Sequence, residues 1–534
     1  MMDYIIFVAD SFQKHQGGSA IIYFGLATLL LRYVAPCRAV SNSLFFVRSA
    51  IALSVIVVGV YFAIIVCYLN FPNFVDHAEV TVATISWLGL HGHPFYPDWT
   101  TGNIYGLLYG PNLYLVDGLA LLMSPTLVAS KLPGVFSLIA ALCIFFAVIR
   151  IKTESNWSAF IAVASAITLM APFEKAFSNR SEPFLICIST LALFAVISLR
   201  PLQAAVVVGA LAGIATDFKI HGVLYIVPTA LMLFAETKNA RERFGVAIAG
   251  FVCGAILAFL PFFLKQSSLY EYSRYLRAAA DHGISLDWVE ANFRYALALV
   301  TPAMAIWFWY RPSISSRDRW AFAGLITSIA ITVIIAGKPG SGSHHLLPFI
   351  PLCLYAAINV GDLRGAAANG LSAIIFILLL LAYYPSYIQD IRYAHHLFVN
   401  SQIEREKGSE LEILSKLYPH AQIGVSGNER YSDSYLRFIL VLKGSDVRLD
   451  FNAWMDLAYG GVSERYVRRL FERCEVPTWI LPLGSPFTLS SYYTGAQLFS
   501  EDLRNVFLTS YKLVRQGMVY QVWQCVASAN EEKN

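Results

Sequence analysis

The sequence predicts a polytopic α-helical membrane protein that ends in a small water-soluble α/β domain. Three observations predict it. Mean hydropathy is +0.56 over 534 residues. Charged residues make up 14% of the chain, where a soluble globular protein is about a quarter charged. Apolar runs near the ~20 residues that a helix needs to cross a hydrocarbon core recur along the chain. They stop near residue 385, where the runs shorten and charges return. A chain this poor in charge cannot cover a soluble surface, so lipid replaces water over much of it. Aromatic residues, 14% of the total, suit the belts found at membrane–water interfaces. The net charge of +4 is small and no basic tract tracks phosphates, so no nucleic-acid partner is expected.

The candidate spans are 18–36, 47–70, 131–149, 156–172, 183–199, 202–217, 220–236, 245–264, 294–310, 320–337, 346–360 and 366–385. This gives about 11–12 transmembrane helices, with 18–36 the weakest. Arg32 interrupts the end of that run and no small-residue cleavage site follows, so it does not read as a signal peptide. Orientation follows from Lys and Arg in short loops. Arg32, Arg38, Arg48, Arg150, Lys152, Arg200, Lys238, Arg241, Arg243, Arg311, Arg317, Arg319 and Arg364 fall on one side if the spans alternate. That side is assigned to the cytoplasm. The loops 71–130, 173–182, 217–219, 265–293 and 338–345, and everything after 386, then face outward. The bias is moderate, because Lys265, Arg274, Arg277 and Arg294 lie on the outer side.

Two domains follow: 1–385, a multi-span domain with the first outer loop 71–130, and 386–534, an extracytoplasmic α/β domain. In the tail, a helix near 388–417 leads to strand-like Gln422–Ser426. Helical 463–474 leads to apolar Thr478–Leu483, and segments near 510–516 and 518–525 read as a terminal hairpin. Cys37, Cys67, Cys143, Cys187, Cys253 and Cys353 sit in or beside apolar runs, as small packing residues do. Cys474 and Cys525 lie in the tail, and spacing alone leaves their pairing open.

The residues with chemical potential lie in the outer segments. Asp76-His77-Ala78-Glu79 follows the end of span 47–70. Two carboxylates and an imidazole at a membrane interface are costly unless hydrated or used. On a helix, Asp76 and Glu79 share a face, one able to act as general base while the other positions it. An ordinary helix start with Asp76 as N-cap explains the same residues. The loop continues through His91, His93 and the Pro- and aromatic-rich Tyr109-Gly110-Pro111-Asn112-Leu113-Tyr114, which suits a segment ordered along the membrane surface. Two His without a carboxylate pair are a weak metal signal, and no metal is assigned. Further along, Arg180 and Glu182 sit at one outer mouth, Lys219 at a second, and Lys338 through His344 and His345 at a third. A Lys, several glycine N–H groups and a following helix suit a phosphate. Taken singly, each cation also fits a snorkelling interface residue.

The order of these motifs resembles the bacterial GT-C glycosyltransferases related to protein O-mannosyltransferases and to the aminoarabinose transferase of lipid A. It runs through the carboxylates after an early span, Tyr109 to Tyr114, Ala129-Ser130-Lys131-Leu132-Pro133-Gly134 and Asn179-Arg180-Ser181-Glu182-Pro183. It continues through Lys219, then Gly337-Lys338 with His344-His345, and ends on Tyr511-Lys512-Leu513-Val514 and Val519-Tyr520-Gln521-Val522-Trp523. The resemblance implies a GT-C-like fold and a polyprenyl-phosphate-linked sugar as donor. It implies a lipid, glycan or protein acceptor, and inversion at the anomeric carbon. Asp76 matches the acidic residue that acts as base, with Glu79 the other candidate because the usual adjacent Asp-Glu is spread here. Arg180, Lys219 and Lys338, with His344 or His345, are implied to bind the lipid phosphate. His77, Tyr109, Asn112 and Glu182 would make other donor or acceptor contacts. The implied location is the bacterial cytoplasmic (inner) membrane, multi-pass, with the site and the tail periplasmic. No cofactor is required by the pattern, and dependence on a divalent cation is left open.

The alternative is a membrane transporter or flippase of lipid-linked or small substrates. It predicts ionisable or broken segments at the bilayer midplane and paired repeats. Here the ionisable groups sit at span ends and no repeat is found. A transferase using a diphosphate-linked donor, or a membrane scaffold with a binding tail, would share many of the same features. No Walker or Rossmann glycine motif is present.

Overall fold

The computed structural model describes residues 44–310, 314–359, 363–427 and 432–526. Candidate span 18–36, with Arg32, Cys37, Arg38 and Arg311, lies outside these residues.

The chain is a polytopic helical protein with a small C-terminal sheet. Among the described residues, six helices are long and apolar enough to cross a membrane: Phe45–Asn70, Leu127–Thr153, Ser181–Ser198, Ala240–Phe263, Ser316–Ile335 and Gly365–Leu417. Shorter apolar helices coincide with the expected spans 156–172, 202–217, 220–236 and 346–360. Local chemistry shortens the last two. The chain reverses between Thr216 and Val227, where Gly222 lies against the Ala215 carbonyl, 2.0 Å from where a Cβ would stand. The helix therefore starts late, at Val227, with a proline in its first turn. At 343–349 the chain is a 3-10 helix that becomes α-helical only at Ile350–Ile358. Pro348 and Pro351 bring no backbone N–H, which suits positions where an intrahelical bond is dispensable.

The described chain divides into two compact units. The first comprises residues up to Val66, Gly134–Phe259 and Ile284–Ala394. Its closest helix contact is between Pro201–Thr216 and Ala240–Phe259. Gly209 and Gly213 face Gly250 and Gly254, and a Cβ on Gly209 would stand 2.0 Å from the Gly250 carbonyl oxygen. Small residues four apart let helix backbones touch where lipid offers no hydrophobic drive. Buried polar contacts add to the packing, including Ser158 with Ser372 at 2.7 Å and Ser189 with the Pro348 carbonyl at 2.8 Å.

The second unit comprises Cys67–Pro133, Leu260–Gly283 and His395–Asn534. The segment 71–130 thus packs with the tail. It holds helices His77–Leu90 and Pro111–Met123. Phe74, Val80, Ala83 and Leu121 share a core with Tyr435, Phe438 and Val441 of the tail. Arg437 pairs with Asp450 at 2.7 Å, and both bond the Thr81 hydroxyl. The sheet has four strands in the order β1-β2-β4-β3: Gln422–Ile423, Thr478–Pro482, Tyr511–Gln516 and Tyr520–Cys525 for β1 to β4. β1 runs parallel to β2, and β2–β4 and β3–β4 are antiparallel. Ile423, Ile480, Tyr520 and Val522 bury their side chains against Leu411, Leu414, Leu436 and Leu440. The expected closing hairpin is β3–β4. Cys474 and Cys525 form a disulfide across a sequence separation of 51. The boundary expected at 385/386 falls inside helix Gly365–Leu417, which runs through Pro385 without ending.

Candidate functional site

Two groups of side chains gather the residues singled out from the sequence, one in each unit. In the second unit, the carboxylates start helix His77–Leu90 as a capping box. Asp76 is the N-cap, and its Oδ1 accepts the Ala78 N–H at 2.8 Å. Glu79 Oε2 accepts the N–H groups of Val75 at 3.0 Å and Asp76 at 3.1 Å, and its Oε1 accepts the Tyr68 hydroxyl. This satisfies helix-end donors reciprocally. Glu79 is fully buried and Asp76 is 7% exposed. The two carboxylates therefore differ in kind. Glu79 accepts through both oxygens, and Asp76 caps the helix through Oδ1 beside His77, whose Nδ1 is 4.0 Å from Asp76 Oδ1. The shared helical face is replaced by a cap, because Asp76 lies before the first helical residue.

Lys131, part of the Ala129 to Gly134 motif, had no role of its own in the sequence reading. It is fully buried, and its ammonium donates to the carbonyls of Tyr68 at 2.8 Å, Phe71 at 2.8 Å and Asn73 at 2.7 Å. It lies 4.6 Å from the Tyr68 ring centre and within electrostatic reach of Glu79. A cation on the Tyr68 carbonyl and on the Phe71 and Asn73 carbonyls just beyond the helix also complements the negative end of Leu44–Asn70. Its place in the Ala129 to Gly134 motif was the available signal.

In the first unit, Arg180, Glu182, Lys219, His344 and His345 come together, though they stand far apart in sequence. Glu182, fully buried in the first turn of Ser181–Ser198, is the hub. Lys219 Nζ lies 2.5 Å from Glu182 Oε1, Arg180 Nε 3.5 Å from Oε2, and His344 Nε2 3.7 Å from Oε1. Lys219 Nζ also lies 3.4 Å from His345 Nε2. Burial pulls the Lys219 ammonium below its ordinary pKa, and Glu182 acts against that pull. Arg180 and Lys338 add to the lowering, so Lys338 is within electrostatic reach although half exposed. Phe218 stacks on Phe184, ring centres 4.8 Å apart, and holds the Lys219 turn against Ser181–Ser198. His221 was not foreseen. It lies 3.1 Å from His345 Nδ1, and Tyr225 donates to the His345 carbonyl at 2.9 Å. Asn292, also unforeseen, ties down the glycine-rich stretch: it donates to the Ala336 carbonyl at 2.7 Å and accepts from Ser343 at 3.0 Å. Within that stretch Gly340 adopts φ +83°, a left-handed conformation that favours glycine.

Glu182, His344 and His345 each bring a ligand atom within 4.8 Å of the others. The surroundings do not suit a cation. Both carboxylate oxygens already face cationic side chains, and a divalent ion would sit against the Lys219 ammonium. Tyr109 contributes its carbonyl to the Tyr96 hydroxyl at 2.7 Å, and Asn112 lies half buried at the start of Pro111–Met123. Both belong to the second unit, as do Asp76, His77 and Glu79, whereas Glu182 belongs to the first. His91 is exposed, with Nδ1 2.8 Å from the Trp87 carbonyl, and His93 is exposed.

These features define a polytopic helical membrane protein with a capped acidic loop and a buried cationic cluster. No protein-family model matches it, and no curated protein matches it. Among solved structures it is similar to ArnT from Cupriavidus metallidurans. In the apo state the TM-score is 0.55 at 14% identity, over 90% of this chain and 99% of that one. ArnT bound to undecaprenyl phosphate gives a TM-score of 0.56 at 13% identity, over 89% and 98%. At that identity the likeness is one of fold, and it is the GT-C-like fold expected from the sequence.

Proposed function

We propose that the chain is an inverting glycosyltransferase that moves a sugar from a polyprenyl-phosphate donor to an extracytoplasmic acceptor in a bacterial cytoplasmic membrane. The observation that carries this reading is the buried cationic cluster. Arg180 and Lys219 face one carboxylate, Glu182, and Lys338 adds a further positive charge. Such a group suits a phosphate that gains charge as it leaves, because fixed cations away from water stabilise developing charge strongly. The fold likeness to a protein solved with undecaprenyl phosphate supports a lipid phosphate as that group. The disulfide Cys474–Cys525 supports an oxidising, extracytoplasmic location for the tail.

In the reaction, the acceptor oxygen attacks the anomeric carbon as the carbon–phosphate-oxygen bond breaks. The bonding pair leaves on the lipid phosphate, which Lys219 and Arg180 bind. The acceptor hydroxyl proton passes to Asp76. Glu79, held through both oxygens, positions the helix start that carries Asp76. His344 and His345 fill the surroundings of Lys219, and His77, Tyr109 and Asn112 contribute to donor or acceptor contacts. The energy lies in the activated donor, so no nucleotide site is required.

Binding of undecaprenyl phosphate and of undecaprenol to the full chain in lipid nanodiscs tests the phosphate role. The wild type should prefer the phosphate, and Lys219→Met should weaken that preference by about tenfold or more, equivalent to at least ~1.4 kcal/mol. Equal binding of the phosphate and the alcohol by the wild type would remove the reading.

A further inference from the structure

The second unit carries a tyrosine platform that the transfer reading does not use. Asn452, Asp456 and Tyr459 stand at i, i+4 and i+7 on helix Phe451–Tyr459, so they share one helical face. The rest of the helix is core: Phe451, Ala453, Trp454, Met455 and Leu457 are buried, and Asn452, itself buried, lies beneath Tyr492 while Asp456 and Tyr459 are half buried. Opposite the polar face stands a short hairpin that presents Tyr492 and Tyr493. The Ser491 N–H bonds the Ala496 carbonyl at 2.7 Å, Gly495 N–H bonds the Ser491 carbonyl at 2.7 Å, and Ser490 bridges Gln497. Gly495 takes φ +72°, as a tight reversal requires.

The rings are tilted rather than close-stacked. Tyr492 and Tyr493 have centres 4.5 Å apart at 65°, and Tyr459 and Tyr493 5.0 Å apart at 45°. His282 meets Tyr459 edge-on at 4.8 Å. Tyr492 is 39% exposed, and Tyr459 and Tyr493 are half buried. Polar groups line the rings. Tyr493 donates to Asp456, and burial, followed by the Asp456 charge, pushes its phenol well above the ordinary range. Tyr492 lies 3.2 Å from Asn452 Oδ1 and 3.2 Å from His77 Nε2. Those bonds are long for hydroxyl donors, so a ligand hydroxyl can replace them. Aromatic faces beside an amide, a carboxylate and an imidazole are the chemistry that holds a sugar ring: apolar C–H faces on the rings, hydroxyls on the polar groups.

We infer that Tyr459, Tyr492 and Tyr493, with Asn452 and Asp456, form a binding subsite for a pyranose of a glycan acceptor. The assignment of that sugar to the acceptor rests on the transferase reading; the binding itself does not. His77 follows Asp76 in sequence and touches Tyr492, so a glycan on the platform reaches the helix start that carries the proposed base.

The test reads binding without turnover, on the full chain in nanodiscs, by saturation-transfer NMR. Methyl β-D-glucopyranoside, methyl α-D-mannopyranoside and N-acetylglucosamine serve as probes. The wild type should transfer saturation to at least one of them. Tyr492→Ala and Tyr459→Ala should weaken that binding about tenfold, equivalent to ~1.4 kcal/mol. Tyr459→Phe, which keeps the ring, should bind like wild type. Tyr492→Leu keeps bulk without an aromatic face and should lose binding even if the alanine variant folds poorly. Asp76→Asn and Lys219→Met should keep sugar binding, so failure of the transferase reading would leave this result standing, and the reverse. No signal from wild type with any probe, or signals unchanged in Tyr492→Leu, would overturn the subsite. So would a changed bilayer depth in Tyr492→Leu, read by brominated-lipid quenching, with sugar binding unchanged; the tyrosines would then be interface anchors.

Discussion

Replacing Lys131 by Met should destabilise the second unit more than any exposed charge change in this chain. The ammonium is fully buried, donates to three carbonyls within 2.8 Å and lies in reach of the buried Glu79. Met keeps the unbranched apolar stem and lacks the terminal ammonium, so the change removes the charge and its hydrogen bonds while keeping most of the packing. Removing one partner from a buried charged arrangement costs about 3–5 kcal/mol. That is a large share of the ~5–15 kcal/mol that holds a typical protein folded. The carbonyls of Tyr68, Phe71 and Asn73 would lose their shared donor at the point where helix Leu44–Asn70 gives way to the acidic loop. Unfolding in mixed detergent micelles, followed by circular dichroism, measures the loss. The Glu79→Gln partner sharpens the test. If Lys131 and Glu79 stabilise each other, the double variant should be less destabilised than the two single losses combined, by about 0.5–3 kcal/mol. A Lys131→Met protein within about 1 kcal/mol of wild type, or strictly additive single losses, would refute the reasoning.

Gly209→Ala should cost about 1–3 kcal/mol by overpacking, since the added Cβ meets the Gly250 carbonyl oxygen; Gly245→Ala, with open space at its Cβ, should be neutral in the same unfolding assay. Cys474→Ser with Cys525→Ser should cost about 2–4 kcal/mol, given the loop that the bridge closes. Thiol labelling before and after reduction of the wild type should reveal both cysteines only after reduction.

Most of the fold is legible in the sequence, because hydrophobic run length and returning charge are local properties. The spans, the late strands and the closing hairpin all follow from runs of one residue class. The corrections fall where one backbone event decides. Gly222 sits in close approach in the turn before Val227, Pro348 lies in the 3-10 stretch 343–349, and helix Gly365–Leu417 continues through Pro385. The candidate sites divide in the same way. Polar residues at span ends mark Arg180, Lys219 and His344, and the structure brings them onto Glu182. The roles of Lys131, His221 and Asn292 are long-range. A buried lysine that collects carbonyls some sixty residues away has no sequence signature beyond its motif. The capping box was legible, since Asp76 and Glu79 carry its spacing, and it gives the two nearby carboxylates different partners. The platform of Asn452, Asp456 and Tyr459 had a signal too, in its helical spacing opposite a Tyr-Tyr pair, but only contacts reveal that the two meet.

The most direct test of the account is sugar transfer by purified wild type, Asp76→Asn and Glu79→Gln proteins. They would be supplied with radiolabelled polyprenyl-phosphate sugars and with source-cell membranes that provide the acceptors. The account predicts transfer by wild type, and a roughly 10²–10⁴-fold loss of rate in Asp76→Asn with undecaprenyl-phosphate binding retained. In Glu79→Gln it predicts loss of stability first, because Glu79 ties the helix start. Wild-type rates from a folded Asp76→Asn protein would contradict it, as would a wild type that carries the lipid across a bilayer without transferring its sugar.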